Sequence, residues 1–251
     1  MKLRGYLTIA VWGAGLIALD PVQRTVVPGL ALPGRRIAIL GWWERLLAYF
    51  VINTARWIAG ARIPPPPTVP GHGGVLVLMN YQSVLDIPLV VASLRLHHPL
   101  IVTRARYARG KPLISHMVRL YQYPVVEPGA TLRRGLEQLA AAAGAAPVPI
   151  VLFPEGHRTG DGRIGPWQEG GLRAILGARR WTVHLLVADG YWRSARLTDF
   201  LESVSRIEGR AVTLGPFESP EPGTDSEPFI ADMRARMQAA LDELRARVPA
   251  A

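Results

Sequence analysis

The feature that most constrains the fold is an alternation of short apolar runs with stretches of helical character, beginning at Gly74. The apolar runs predict strands at 75–79, 100–103, 124–126, 150–153 and 183–187. The other stretches predict helices at 87–96, 112–120, 131–143 and 171–176, and an amphipathic helix at 229–248 after a Pro-rich loop at 215–228. This alternation predicts an α/β fold with a mostly parallel sheet flanked by helices. Ligands then bind at the carboxyl ends of the strands.

One of these strand ends carries the residue types of an anion site. The hexapeptide Phe-Pro-Glu-Gly-His-Arg at 153–158 closes an apolar run and opens a Gly-rich polar loop at 159–165. Its glycine lets the backbone approach a ligand, and its arginine offers two parallel donors to a phosphate. A strand end followed by a solvated turn explains the same residues without any ligand.

A second motif follows the first predicted strand and reads Asn-Tyr-Gln-Ser-Val-Leu-Asp at 80–86. Ser83 and Asp86 have the spacing of a capping box, in which each side chain bonds the other residue's backbone N–H at the start of a helix. That structural role is sufficient on its own to explain the aspartate.

Together the two motifs resemble those of the glycerophospholipid acyltransferase family, which includes the lysophosphatidic acid (1-acylglycerol-3-phosphate) acyltransferases. Family members carry Asn-His-x-Ser-x-x-Asp after the first strand and Phe-Pro-Glu-Gly-Thr-Arg further along, and the resemblance covers roughly residues 74–190. It implies transfer of a fatty acyl group from a thioester, acyl-CoA or acyl carrier protein, to the hydroxyl of a lysophospholipid, with no other cofactor. In the family the histidine is the general base and the aspartate orients its imidazole.

The resemblance assigns site residues position by position. Asp86 matches the aspartate, and Glu155, Gly156 and Arg158 match the stretch that helps to hold the acceptor's phosphate. Arg104 stands just after a predicted strand, where the family usually has a basic residue thought to bind phosphate. The histidines of the chain show no spacing that suggests a metal site.

Two positions depart from the family pattern: Tyr81 stands in place of the catalytic histidine, and His157 in place of a threonine. A phenol has a pKa near 10, so its use as a base at pH 7 costs about 4 kcal/mol. Losing a general base typically costs 10²–10⁴ in rate. His157 is a candidate replacement base; a loop histidine that contributes to acceptor binding, or to nothing, is the alternative. The candidate catalytic residues are therefore Asp86, Tyr81 and His157, and the alternative function is an impaired or inactive member that binds lipid or acyl carrier.

The first 63 residues indicate a membrane-associated segment of two helices. The apolar run 6–19 would span about 21 Å as a helix, less than the ~30 Å hydrocarbon core of a bilayer. The stretch 37–58 carries Trp42, Trp43 and Trp57, which suit a lipid–water boundary. We expect both helices to dip into one leaflet, on the cytoplasmic face of the inner or plasma membrane. A signal peptide for the first segment, and helices packed on the protein's own core, are the alternatives.

A Pro-rich linker at 64–70 is expected to join this segment to an α/β acyltransferase domain at 71–251 that includes the last helix. The net charge of +10 and the pI of about 10.7 favour an anionic partner, namely a phospholipid membrane, a phosphorylated substrate or an acidic carrier protein. An arginine-biased genome explains the same charge. No nucleic acid is expected, because the arginines are dispersed and no aromatic-plus-basic binding motif is evident. The absence of cysteine excludes disulfides and thiolate metal sites.

Overall fold

A five-stranded sheet forms the centre of the computed structural model, which describes residues 2–95 and 98–247, with Leu197 described by its backbone alone. The strands are β1 (Val75–Met79), β2 (Leu100–Ile101), β3 (Ile150–Leu152), β4 (Thr182–Asp189) and β5 (Arg210–Glu218). Their order is β2-β3-β1-β4-β5, with β2, β3, β1 and β4 parallel and β5 antiparallel to β4. The predicted α/β class and mostly parallel sheet are confirmed.

Helices flank the sheet and bury the apolar strands. They are α1 (Lys2–Leu30), α2 (Arg36–Thr54), α3 (Asp86–Ser93), α4 (Ile114–Leu120), α5 (Leu132–Ala145), α6 (Glu169–Leu176), α7 (Leu197–Ser203) and α8 (Glu227–Ala246). All residues of β1 and β3 are buried, as expected for central parallel strands covered on both faces. This arrangement explains why these strands read as continuous apolar runs and not as an alternation of apolar and polar residues.

Two predictions about strands were wrong. The segment 124–126 forms only an isolated bridge, in which Val125 pairs with Thr103, because the chain then turns away at Glu127 to Gly129. The region around Pro216, expected to be loop, belongs to the nine-residue strand β5. A proline is tolerated there because β5 lies at the edge of the sheet, where one side of the strand has no neighbour.

Several predicted helix bounds also differ from the structure by one to three residues. The helix expected at 87–96 ends at Ser93, where the next residue, Leu94, turns to an extended conformation. Residue 96 itself lies outside the described residues. The last helix was expected to end at residue 248, which also lies outside them, and in the structure it ends at Ala246.

The first helix is longer than its sequence indicated. It was expected to end before Pro21, but α1 continues to Leu30, a length of about 43 Å at 1.5 Å per residue. Asp20 stabilises the helix beside Pro21, because it accepts hydrogen bonds from Arg24 at 2.7 Å and from the backbone N–H of Leu113 at 2.7 Å. Within the described residues, α1 is the one helix long and apolar enough to cross a bilayer by length and composition.

One face of the α1–α2 hairpin packs on the sheet domain. The Gln23 side chain donates to the Leu113 carbonyl at 2.9 Å and accepts from the Trp43 indole N–H at 2.9 Å, and the Tyr121 hydroxyl donates to the Leu40 carbonyl at 2.9 Å. Trp43 is thus buried and does not lie at a lipid boundary, which corrects its prediction. The side of α2 that carries Trp43, together with Leu40, Leu47 and Ile52, faces the protein core.

Elsewhere the hairpin, with the turn of π-helix at Ala55–Ala59 that follows it, exposes large apolar side chains. Trp42 and Trp57 are 53% and 82% exposed, in agreement with a boundary position for these two. Further exposed members of this face are Leu3, Tyr6, Leu7, Ile17, Val26, Leu30, Leu32, Leu46 and Tyr49. We call these eleven residues the exposed apolar face. An uncovered apolar surface of this extent marks a site that contacts lipid or another partner.

Candidate active site

The two sequence motifs meet at the carboxyl edge of the sheet, because β1 and β3 are parallel neighbours. Glu155 joins them: one carboxylate oxygen accepts the backbone N–H of Tyr81 at 2.8 Å, and the other accepts that of Gly165 at 2.8 Å. The backbone N–H of Thr159 also donates to the Tyr81 carbonyl, at 2.9 Å. The fully buried Glu155 side chain thus connects the loop after β1 with the loop after β3. We call this pair of hydrogen bonds the clasp of Glu155.

Asp86 begins α3 and is fully buried, but only one of its oxygens is used. Oδ2 accepts the backbone N–H groups of Gln82 at 2.5 Å and Ser83 at 2.6 Å, whereas Oδ1 has no hydrogen-bond partner among the described residues. Burial raises the pKa of Asp86 to about 7, although the two N–H donors lower it in part. The bond to Ser83 is half of the expected capping box; the Ser83 hydroxyl accepts from the Leu85 N–H instead of capping α3.

Tyr81, at the position of the family histidine, is held by its ring. The ring stacks on Phe153 with centroids 4.4 Å apart, and the guanidinium of Arg158 lies 6.0 Å from its centroid. Burial raises the pKa of the Tyr81 phenol well above its ordinary value of 10, and the nearby Arg158 only partly opposes this. At neutral pH the phenol is therefore protonated, and it can donate a hydrogen bond but cannot accept a proton as a base.

Two predicted phosphate ligands, Arg104 and Arg158, lie beside the motif loops. Arg104 donates to the Gly156 carbonyl at 2.9 Å. Gly156 has a φ of +67°, and a Cβ there would lie 3.4 Å from the Arg104 guanidinium, so glycine permits both the turn and the approach. One guanidinium nitrogen of Arg158, Nη1, is buried without a hydrogen-bond partner in the described part of the chain. An unsatisfied buried cation of this kind is suited to an anionic ligand.

Arg106 and Tyr107, which were not among the predicted site residues, follow Arg104 in a short 3₁₀ helix at Ala105–Tyr107. The Arg106 guanidinium donates to the Tyr107 hydroxyl at 3.2 Å. Burial is the main cause of the raised pKa of Tyr81, and Arg106 opposes it slightly. Arg106 therefore joins Arg104 and Arg158 as a candidate phosphate ligand. The run Arg-Ala-Arg-Tyr at 104–107, directly after a strand, is the signal that could have identified them.

His157 lies on the exposed side of its loop, whereas Asp86 is fully buried. Among the residues that the structure describes, His157 forms no hydrogen bond and no ion pair. Burial raises the pKa of neighbouring Glu155, and its two N–H donors and then His157 oppose this in part. No group of three or more histidine, aspartate or glutamate side chains in the described ranges could hold a metal ion.

A second set of hydrogen bonds connects the loops after β1 and β3 to the end of β4 and to α8. Asp189, at the end of β4 and only 5% exposed, accepts hydrogen bonds from Gln82 at 3.4 Å and from Arg245 of α8 at 3.0 Å. The same Arg245 also donates to the carbonyl of Gly162 in the second loop. This contact was missed because nothing in the sequence of an amphipathic helix distinguishes one arginine on its polar face from another.

The fold and the site define a class, an α/β acyltransferase domain, and comparison with known proteins agrees. The model of the family described as Acyltransferase matches residues 62–186. The 1-acyl-sn-glycerophosphate (LPA) acyltransferase PlsC of Thermotoga maritima has a similar structure, with a TM-score of 0.65, 16% identity, and coverage of 99% of this chain and 96% of that chain. No curated protein matches the sequence significantly. Residues 62–186 thus match the Acyltransferase family, and the fold resembles that of PlsC.

Proposed function

We propose that the protein transfers a fatty acyl group from a thioester donor to the free hydroxyl of a lysophospholipid such as 1-acylglycerol-3-phosphate. The observation that carries this proposal is the clasp of Glu155, which joins the loop that contains Tyr81 and Asp86 to the loop that contains Arg158 at one edge of the sheet. In the reaction the acceptor oxygen bonds to the acyl carbon, the carbon–sulfur bond breaks, and the hydroxyl proton ends on the thiol that leaves.

The acceptor's phosphate would bind beside Arg104, Arg106 and Arg158. The carbonyl of Gly156 already fixes Arg104, so its guanidinium is preorganised and loses little freedom on binding. The buried, unpartnered Nη1 of Arg158 would gain its missing hydrogen bond. A phosphate here places the glycerol part of the acceptor close to the Tyr81 ring, because Arg158 lies over that ring.

Tyr81 would act as a hydrogen-bond donor that orients the acceptor or stabilises the oxyanion formed at the acyl carbon. Its raised pKa argues against a role as base. A thioester is an activated acyl donor, so positioning supports turnover at a reduced rate. Asp86 keeps the loop of Tyr81 in shape through its bonds to Gln82 and Ser83.

The exposed apolar face of the α1–α2 hairpin would rest on a membrane and bring the site to its lipid substrates. A long α1 could also cross the bilayer, but its other face is occupied by protein contacts: Trp12 packs on Phe200 at 4.8 Å, and a Cβ at Gly5 would meet the Leu201 backbone. These contacts favour a hairpin that lies in one leaflet.

The direct test is a lipid-product assay with acyl-CoA or acyl carrier protein as donor and lysophosphatidate as acceptor. The wild type is compared with Tyr81→His, His157→Thr and Arg104→Ala, and with Arg133→Ala on exposed α5 as the matched control. Slow transfer by the wild type, weakened by Arg104→Ala and unaffected by Arg133→Ala, supports the proposal. Absence of transfer by the wild type, under conditions where Tyr81→His is active, refutes it. A fall in kcat of His157→Thr with an unchanged KM for lysophosphatidate would identify His157 as the base, whereas a raised KM alone would assign it to acceptor binding.

A second candidate function, lipid binding without turnover, is favoured by one observation: neither Tyr81 nor any other described side chain bonds the free Oδ1 of Asp86. It predicts that the wild type binds lysophosphatidate in equilibrium dialysis, with an affinity that depends on Arg158, and yet releases no acylated product. Measurable turnover that Arg158→Ala abolishes excludes this candidate.

A further inference from the structure

The turn before α4 holds its central residue in a backbone conformation that leucine rarely adopts. Leu113 has a φ of +59° and a ψ of −56°, and the backbone N–H of Ile114 donates to the carbonyl of Pro112 at 2.6 Å. This combination is a γ-turn with a positive central φ, which is rare and strained for a residue that carries a side chain. Such a conformation persists only where neighbouring groups fix it.

Two side chains of α1 fix both polar backbone groups of Leu113. One carboxylate oxygen of Asp20 accepts its N–H at 2.7 Å, while Arg24 donates to the other oxygen at 2.7 Å. The buried Gln23 donates to its carbonyl at 2.9 Å and to Nδ1 of His116, one turn further along the chain, at 3.1 Å. We call the bonds of Asp20 and Gln23 to Leu113 the Leu113 clamp.

The basic loop 104–111, which lies directly before this turn, is held by α4. Arg119 of α4 donates to the Ala108 carbonyl at 3.1 Å. Ser115 of α4 forms two hydrogen bonds of 2.9 Å with Lys111, one from its own backbone N–H to the Lys111 carbonyl and one from the Lys111 N–H to its hydroxyl. The position of the loop therefore depends on that of α4, which starts at the clamped turn.

The loop carries Arg104 and Arg106, two of the candidate phosphate ligands. Arg104 is bonded to the second motif, through the Gly156 carbonyl at 2.9 Å. Within the described residues, the hydrogen-bond partner of Arg106 is its neighbour Tyr107, in the same loop. The position of Arg106 relative to the two motifs is therefore set by the path of the loop.

We propose that Asp20 and Gln23 are positioning residues for acceptor binding, because they hold the turn from which α4 and the loop 104–111 take their place. The proposal rests on the acyl transfer proposed above, whose acceptor's phosphate would lie on the arginines of that loop. Neither residue touches a substrate, since their bonds go to the backbone of Leu113. When the clamp is broken, the strained turn can relax, and the arginines lose their common position.

The test compares two substitutions of Asp20 that differ in one hydrogen bond. Asp20→Ala removes the acceptor of the Leu113 N–H, whereas Asp20→Asn keeps an amide oxygen in its place. Binding of a short-chain lysophosphatidate to the full chain in phosphatidylcholine vesicles is measured by isothermal titration. We expect Asp20→Ala to weaken binding by about 5–10-fold and Asp20→Asn by less than about 2-fold. Tyr121→Phe, which removes another buried hydrogen bond between the hairpin and the sheet domain, is the matched control and should leave the affinity unchanged.

Leu113→Gly separates positioning from general stability. Glycine adopts a positive φ without steric cost, so the turn should persist without its clamp. In the Leu113→Gly background, Asp20→Ala should therefore weaken lysophosphatidate binding by less than about 2-fold. In acyl transfer, Asp20→Ala should raise the KM for lysophosphatidate and leave the KM for the donor unchanged. Circular dichroism checks that each variant is folded, and if Leu113→Gly does not fold, the two substitutions of Asp20 decide.

Three results overturn the proposal. In the first, lysophosphatidate does not bind the wild type, or it binds the wild type and Asp20→Ala equally. In the second, Asp20→Asn binds as weakly as Asp20→Ala, so that the charge of Asp20 matters and its bond to Leu113 does not. In the third, Tyr121→Phe weakens binding as much as Asp20→Ala, which would indicate a general loosening of the hairpin. If acyl transfer is refuted but lysophosphatidate binding still depends on the clamp, only the proposed function fails.

Discussion

Two buried carboxyl groups lie at the same edge of the sheet, and they are held in opposite ways. Glu155 divides its oxygens between two loops and leaves neither oxygen free. Asp86 places both of its hydrogen bonds on one oxygen, within its own loop, and leaves the other bare although it is buried. The first group links segments that are distant in sequence, whereas the second shapes a single turn.

Glu155 is therefore a structural carboxylate, whereas Asp86 has one buried oxygen that can still accept a hydrogen bond. A buried polar atom without a partner costs free energy, and such atoms concentrate at sites that bind or react. In the family pattern a histidine stands where this protein has Tyr81, and the bare oxygen of Asp86 is the acceptor that an imidazole N–H would use. By the family pattern, the site would retain the acidic half of a catalytic pair and lack the basic half.

The largest effect is expected from Tyr81→His. An imidazole at this position gains Asp86 as its acceptor, while Arg158 nearby disfavours the charged imidazolium and keeps the ring available as a base. We expect acyl transfer to rise by about 10²–10⁴-fold, the usual contribution of a general base. The measurement is the initial rate of product formation at saturating donor and acceptor.

The double variant Tyr81→His/Asp86→Asn is the control for that gain. An asparagine can turn its amide nitrogen toward the imidazole, and it then offers no acceptor for the ring N–H. Most of the gain should therefore disappear. A rate that stays high in the double variant would show that the bare oxygen does not orient the histidine.

A smaller effect is expected from Glu155→Gln. One amide group cannot accept from two backbone N–H donors at its two ends, so either Tyr81 or Gly165 loses its partner in a buried place. The free energy of unfolding should fall by about 1–3 kcal/mol, the cost of an unsatisfied buried donor. Urea denaturation followed by circular dichroism measures this change, and an unchanged midpoint would contradict the clasp.

The corresponding change Asp86→Asn should be nearly neutral at acidic pH, because the amide oxygen still accepts from Gln82 and Ser83. Its effect depends on pH, since the pKa of Asp86 is raised from 3.8 to about 7 in the fold. Between those values the folded protein keeps a proton that the unfolded chain has released. The wild type should therefore lose stability relative to the variant as pH rises from about 4 to about 7, by up to ~1.4 kcal/mol per pH unit.

Urea denaturation of both proteins at pH 4.5, 6 and 8 tests this prediction. Other buried acids, such as Glu155, are present in both proteins and cancel in the difference. A difference between the two proteins that is constant across the three pH values would mean that Asp86 titrates normally.

The smallest effect is expected from Thr159→Val. The hydroxyl of Thr159 makes a long hydrogen bond to the Tyr81 carbonyl, at 3.3 Å, while its backbone N–H makes the shorter one, which the substitution leaves in place. The free energy of unfolding should change by less than about 1 kcal/mol. A loss as large as that of Glu155→Gln would mean that the hydroxyl, and not the carboxylate, joins the loops.

The class of fold and the location of the site could be predicted from sequence, because both depend on local patterns. Apolar runs at strand length and motifs directly after them specify which residues reach the carboxyl edge. Asp86 could be connected to Ser83 for the same reason, as the two are three residues apart.

The contacts between distant segments could not be predicted. The partners of Glu155 are backbone N–H groups, which every residue except proline carries, so no side-chain pattern identifies Tyr81 as its partner 74 residues away. The continuation of α1 past Pro21 and the presence of Pro216 in β5 likewise depend on neighbours in space. A prediction from local sequence ends the helix or strand at each of these prolines, because a proline is usually unfavourable inside a helix or strand.

The position of Arg245 in the chain has a consequence for the order in which the protein becomes functional. Its contact to Gly162 joins residues 83 positions apart, and α8 lies outside the stretch that matches the family. During synthesis, the hairpin and then both motif loops leave the ribosome before this arginine exists. The two motif loops are thus locked only when α8 has docked.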